Sequence, residues 1–311
     1  MQRILVIRGG AIGDFVLTLP AIDALRNAFP HAHIEILGYK HIIALAERRF
    51  YADAVRSIEY SALAAFFAKD TELRPELADY FRSFDLIVSY LFDPDLHFER
   101  NLRRCGVEEI LRGTSKRTSG EHAAAQLAHA FDELEIRLST TAARLYPSAN
   151  DREVASAFLA NTRAPVIALH PGSGGERKNW PIDYWLSLGE RLAERDSLLF
   201  IGGEADRERL ALIRRRFSNA NFAEDLPLPH LAAVLERAAV FVGHDSGISH
   251  IAAAVETASV LLFGPTDPNV WAPTNQHVRV IRAPGGDMTK LEVSVVTEAV
   301  AQELMRIGIS T

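Results

Sequence analysis

The sequence holds a single cysteine, Cys105, so it can close no intrachain disulfide and build no cysteine metal cluster. Nothing in it asks for an oxidising compartment. It also lacks any window near the ~20 consecutive apolar residues of a membrane-spanning helix. The opening run Arg3-Ile4-Leu5-Val6-Ile7-Arg8 is too short for a secretory signal and meets glycine at once. Positive charge is not in excess: the formal net charge is −6, which gives no global drive toward nucleic acid. Two nucleotide fingerprints are missing as well. After the first apolar run, Gly9-Gly10-Ala11-Ile12-Gly13-Asp14 does not match G-x-G-x-x-G, and the P-loop spacing occurs nowhere. The first absence disfavours a nicotinamide-dependent oxidoreductase. The expectation is a cytoplasmic protein, with peripheral contact to a membrane surface left open.

What is present is a folded α/β chain. Apolar residues make up 48% and charged residues 24% of 311, a length that suits two domains. Short apolar runs at Ile4–Ile7, His33–Leu37, Val55–Ile58 and Asp85–Leu91 read as strands separated by helical patterns. One helix starts at Asp14, with a kink or break expected at Pro20, and another spans Glu121–Leu134. Periodicity is lost between Leu138 and Asp151, where the linker is placed. Alternation resumes with strands at Val166–Leu169, Leu198–Ile201, Val240–Val242 and Val260–Phe263. Helices are read at Tyr184–Ala193, Glu204–Phe217 and from His250 onward. The pattern predicts two parallel-sheet units, residues 1–150 and 151–311, with room for the last helix to pack back on the first.

In open parallel sheets, ligands bind beyond the carboxyl ends of the strands. Four polar clusters fall at such ends. The first contains Gly13 and Asp14 at the start of a helix, where the carboxylate serves as a helix cap or as a proton acceptor. The second is His170-Pro171-Gly172-Ser173-Gly174-Gly175-Glu176-Arg177-Lys178-Asn179-Trp180-Pro181. Its glycine-rich backbone and the Lys178 charge suit a diphosphate, although a solvated surface turn has the same composition. Trp180 points to an ordered loop. The third, Gly202-Gly203-Glu204, is an ordinary strand-to-helix turn whose carboxylate is placed to bind ribose hydroxyls. The fourth, Gly243-His244-Asp245-Ser246-Gly247-Ile248-Ser249-His250, precedes an apolar helix and reads as an anion site or as simple caps. Asp245 with its neighbouring histidines makes a poor metal site, since structural sites close their ligands around the ion. Arg100, Arg103, Arg104, Arg112, Lys116 and Arg117 read equally as solvated helix faces or as a phosphate-contact surface.

In this order the clusters resemble glycosyltransferase family 9, the bacterial heptosyltransferases that transfer heptose from ADP-heptose to the lipopolysaccharide inner core. The resemblance covers nearly the whole chain. It rests on Gly13-Asp14 with Leu19-Pro20-Ala21, on His170-Pro171-Gly172 leading to Lys178 and Trp180-Pro181, and on Asp245 through His250. Gly264-Pro265-Thr266-Asp267-Pro268 completes it one strand later. The resemblance implies the GT-B fold, two Rossmann-like parallel-sheet domains facing a central cleft. It implies Asp14 as the catalytic base for an inverting transfer. The implied substrate-binding set is Gly13, Ser173, Lys178, Glu204, Asp245, Ser246, Gly247, Ser249 and His250. Within it Lys178 meets the diphosphate, Glu204 the ribose and Asp245 the sugar hydroxyls, while the turn from Ser246 to Ser249 meets phosphate. No metal and no cofactor beyond the nucleotide-sugar donor is expected. The expected partner is a lipid-linked or oligosaccharide acceptor at the inner face of the inner membrane, with no nucleic acid. Another sugar nucleotide, a protein acceptor, or a non-catalytic sensor are the alternatives, and a sensor has no need of a base at Asp14.

Overall fold

The apolar runs are parallel strands in a computed structural model of the chain, which describes residues 1–69, 71–114 and 120–309. Lys116 and Arg117 lie outside the described residues. The chain divides into two compact units, Met1–Thr141 and Ala142–Thr311, at a point inside the stretch that loses periodicity. Residues 143–145 attach to the second unit: Leu145 N–H donates to the Ala254 carbonyl at 2.8 Å and Asn275 donates to that of Ala143 at 3.0 Å.

The first unit runs β1 (Arg3–Arg8), α1 (Ile12–Ala28), β2 (His33–Gly38), α2 (Lys40–Ile43), β3 (Ala54–Ser57), α3 (Pro75–Arg82), β4 (Leu86–Ser89), α4 (His97–Arg104), β5 (Ile110–Arg112) and α5 (Ala123–Ala128). Its sheet has the order β3-β2-β1-β4-β5. Leu5 and Ile7 of β1 point into a core with Phe66, Phe81, Phe98 and Cys105. Ile4 and Val6, on the opposite face by strand alternation, are equally buried. Covering both faces explains why β1 is apolar throughout rather than alternating. Helix α1 runs uninterrupted through Pro20, which is buried and costs the ladder only its own N–H. The helix expected over Glu121–Leu134 is α5 followed by a 3-10 turn at His129–Leu134.

The second unit runs α6 (Ala149–Phe158), β6 (Val166–His170), α7 (Ile182–Ala193), β7 (Ser197–Gly202), α8 (Arg207–Arg216), β8 (Asn221–Glu224), α9 (Leu228–Glu236), β9 (Val240–His244), α10 (Gly247–Ala254), β10 (Ala258–Phe263), α11 (Pro268–Trp271), β11 (Val278–Arg282) and α12 (Val293–Arg306). The strand order is β11-β10-β9-β6-β7-β8, the doubly wound arrangement. Val296, Ala299, Val300 and Leu304 of α12 lie in this unit's core with Trp180, Trp185 and Phe200. The order reverses between β1 and β4 in one sheet and between β6 and β9 in the other. Those two switch points are where a doubly wound sheet leaves room for a ligand.

Candidate functional site

Asp14 stands in the first turn of α1, just beyond β1 at the first switch point. Its Oδ2 accepts the Ala11 N–H at 3.1 Å, closing the exposed start of the helix. Its Oδ1 lies 3.1 Å from the Arg8 guanidinium. Arg8 ends the buried strand β1 and is 5% exposed, whereas the Asp14 side chain keeps 34% of its surface open. Arg8 also donates to Thr18 Oγ1 at 2.9 Å and to the Asp14 carbonyl at 3.1 Å. A buried cation thus fixes the carboxylate, which stays partly open to solvent. Gly10 sits at φ +94°, and a Cβ there would come within 2.9 Å of Asp14 Oδ2. Gly13 occupies the same first turn. In the same unit, a cavity of about 410 Å³ opens at the ends of β4 and β5, lined among others by Ser89, Phe92, Glu99, Arg112 and Thr114.

The second switch point gathers the other clusters. After β6 the chain turns through Gly172, where a Cβ would fall 1.6 Å from Asp206 Oδ1, so only glycine fits. Lys178 Nζ meets Asp245 Oδ2 at 2.6 Å, pairing two residues assigned to separate clusters. Asp245 is 8% exposed and Lys178 31%, so the cation faces solvent and the anion does not. Ser246 caps α10 and accepts the Ser249 N–H at 3.4 Å. Ser249 donates to the His244 carbonyl. Gly247 opens the helix, and the buried His250 donates its N–H to the Ser246 carbonyl. Ser173 lies 2.7 Å from Asn179 Oδ1 and accepts the Gly175 N–H at 3.3 Å, bracing its own loop. Glu204 stands apart at the end of β7, 86% exposed, with Arg207 at 3.8 Å.

Four residues outside the expected set organise this site. His244 is fully buried; its Nε2 accepts the Trp180 N–H at 2.8 Å and its Nδ1 lies 3.2 Å from the Gly172 carbonyl. Those partners put the single proton on Nδ1, and burial pushes the pKa down to about 3. Trp180 also donates its indole N–H to the Leu291 carbonyl, so both ends of the glycine-rich loop are pinned. His170, 4% exposed, lies 3.3 Å from Ser246 Oγ through Nδ1 and 3.6 Å from Asp206 Oδ2 through Nε2. Burial opposes ionisation of Asp206, but His170 and the Gly203 N–H outweigh it and hold its pKa low. His170 opens the second motif and Asp206 lies two residues past the third, and nothing local signals that they meet. Among the described residues no group of three or more His, Cys, Asp or Glu is placed to hold a metal ion.

The basic scatter is divided among local partners. Arg103 and Arg112 face Glu99 at 3.8 and 3.1 Å, and Arg104 donates to Asn101 Oδ1 at 2.8 Å.

Two Rossmann-like parallel sheets, each with polar groups collected at its switch point, define a glycosyltransferase of the GT-B class. The model of glycosyltransferase family 9 (heptosyltransferase) matches residues 116–299, and the chain belongs to that family. Lipopolysaccharide heptosyltransferase 1 of Escherichia coli is 21% identical over 330 residues, covering 97% of this chain and 98% of that protein. The structure of Escherichia coli ADP-heptose heptosyltransferase II superposes with a TM-score of 0.78 at 19% identity, covering 99% of each chain. Escherichia coli heptosyltransferase WaaC with ADP gives 0.73 at 18% identity, covering 97% of this chain and all of the other (100%).

Proposed function

We propose that the protein transfers heptose from ADP-heptose to a lipopolysaccharide core acceptor, with inversion at the anomeric carbon and without a metal ion. The observation that carries this reading is the gathering of Lys178, Asp245 and the amino end of α10 at the second switch point. The first N–H groups of a helix and a lysine offer donors and positive charge to a diphosphate, the part usually played by a metal. In this reading Lys178, Ser246, Gly247 and Ser249 bind the diphosphate. Asp245 and His250 face the sugar, Ser173 shapes the glycine-rich loop, and Glu204 reaches the ribose from the rim. Asp14 with Gly13 takes the acceptor hydroxyl, whose proton passes to the carboxylate as the C1–O bond to the diphosphate breaks. The cavity at the ends of β4 and β5 in the same unit as Asp14 has the size and mixed polarity for part of an oligosaccharide acceptor. The work is placed on the cytoplasmic side of a membrane, where nucleotide sugars meet lipid-linked acceptors.

The test is calorimetric titration in the presence of EDTA against ADP, UDP, GDP and ADP-heptose, followed by transfer assays. Binding of ADP and ADP-heptose with EDTA-resistant transfer supports the reading. Preference for UDP or GDP replaces the donor, and rescue of lost activity by Mg²⁺ overturns the metal-free step.

A further inference from the structure

We infer that His170, backed by Asp206, is a positioning residue that takes up a proton when a diphosphate arrives and thereby turns the Ser246 hydroxyl toward it. The inference rests on the donor site proposed above. Its ground is a line of polar groups running from Asp206 through His170 to the cap of α10. Asp206 Oδ2 lies 3.6 Å from His170 Nε2, and His170 Nδ1 lies 3.3 Å from Ser246 Oγ. His170 and Asp206 are 4% and 8% exposed.

A neutral imidazole carries one proton, and the Asp206 carboxylate draws it to Nε2. Nδ1 is then an acceptor, and Ser246, already accepting the Ser249 N–H, has one hydrogen to give. Ser249 spends its own hydrogen on the His244 carbonyl. With no ligand, the Ser246 hydrogen goes to His170 Nδ1, a stronger acceptor than the Ser249 hydroxyl 3.2 Å away, and is turned from the phosphate site. A diphosphate at the start of α10 puts His170 between two anions. An added proton from solvent goes to Nδ1, which becomes a donor to Ser246 Oγ, and the Ser246 hydrogen is released to a phosphate oxygen. No covalent bond of the protein changes. In transfer the C1–O electron pair goes to the departing phosphate oxygen and the acceptor proton to Asp14, so the His170 proton answers only the extra charge on ADP. The arrangement favours the leaving group over the intact donor, the differential binding that speeds a reaction.

Other charged groups bear on His170. Arg209 of α8 opposes the proton, although Glu176 engages it at 2.5 Å. His244 of β9 stays neutral. Lys178 is offset by Asp245. Asp206 is the carboxylate nearest to the ring among these.

Nitrogen NMR of the histidine-labelled enzyme reads the change directly, with and without ADP. The expected result is one buried imidazole that passes from the Nε2–H form to imidazolium on ADP addition, a signal missing in His170→Asn. Asp206→Asn supplies the kinetic arm. Its amide oxygen still accepts the Gly203 N–H and still faces His170 Nε2, but the negative charge that favours a second proton on the ring is gone. We expect kcat to fall about tenfold to a hundredfold, the range of a hydrogen bond to a charged group, while the donor KM stays within about twofold. A collapse of KM and stability together would mark a purely structural role and overturn the inference. ADP binding with His170 unchanged overturns it alone. Absence of any ADP binding overturns the functional reading and this inference with it.

Discussion

At the scale of single residues, the two switch points hold charges that stabilise and charges that work, and several are the same atoms. Asp14 closes the start of α1 and neutralises the buried Arg8 as well as facing solvent. Asp14→Asn is expected to lower kcat by about two to four orders of magnitude, as for loss of a general base. It should leave ADP affinity intact and reduce the melting temperature, because Arg8 loses its carboxylate. Retained turnover in a stopped assay would remove Asp14 from the chemistry. Lys178→Ala should weaken ADP by about one to two orders of magnitude and also destabilise the protein, since Asp245 is left buried without its cation. Adding Asp245→Asn should restore part of the stability but none of the affinity, a double-mutant comparison readable by calorimetry. His244 gives a pH prediction. Its folded pKa, about 3, lies below the ordinary 6.5, so the unfolded chain binds the extra proton. The stability it contributes is full above the unfolded value and is lost as pH falls toward the folded one. Melting temperature should drop between about pH 7 and about pH 5, the range where histidine charges. His129 acts with the opposite sign, its pKa raised by the hydrogen bonds it donates to Glu121 and Asp132, but it is more than half exposed and screened. A melting temperature flat across that range would refute the burial argument for His244.

At the scale of elements, close approach rather than backbone torsion fixes the glycine-rich loop. Gly172→Ala would drive a methyl group against Asp206 and displace the start of α8. We expect a loss of about 1–3 kcal/mol, typical of overpacking, together with weaker ADP binding, both checked by denaturant titration with and without ADP. The central strands were legible because a sheet covered on both faces demands unbroken apolar runs. Three of the four edge strands were not, β3 being the exception. β5, β8 and β11 are short, partly exposed and carry charged residues such as Arg112, Glu224 and Arg279, so they show no apolar run. The linker placed at Leu138–Asp151 takes in the start of α6, although Ser148 and Asp151 form a reciprocal capping box there. Its small and polar composition hid the helix, and the cap was the available signal.

At the scale of the whole molecule, two units with separate cores should answer a ligand separately. ADP at a hundredfold excess over its Kd stabilises the state that binds it by about 2.7 kcal/mol. Scanning calorimetry is expected to show the transition of Ala142–Thr311 moving upward with ADP while that of Met1–Thr141 stays in place. A shift confined to the first unit would put the nucleotide on the wrong sheet.

The sequence by itself determined the class of fold, the central strands, the order of the four polar clusters and the family to which they belong. Each is a local matter, written in apolar runs, glycine turns and motif spacing. Only the tertiary structure decided that Lys178 pairs with Asp245 67 positions away, that Arg8 holds Asp14, and that His244 ties Gly172 to Trp180. It alone brought Asp206 and His170 together. The reason is the doubly wound order itself: β6 and β9 lie side by side although three helices and two strands separate them in the chain. Which side chains share a switch point therefore follows from strand order, a non-local property that no single stretch of sequence records.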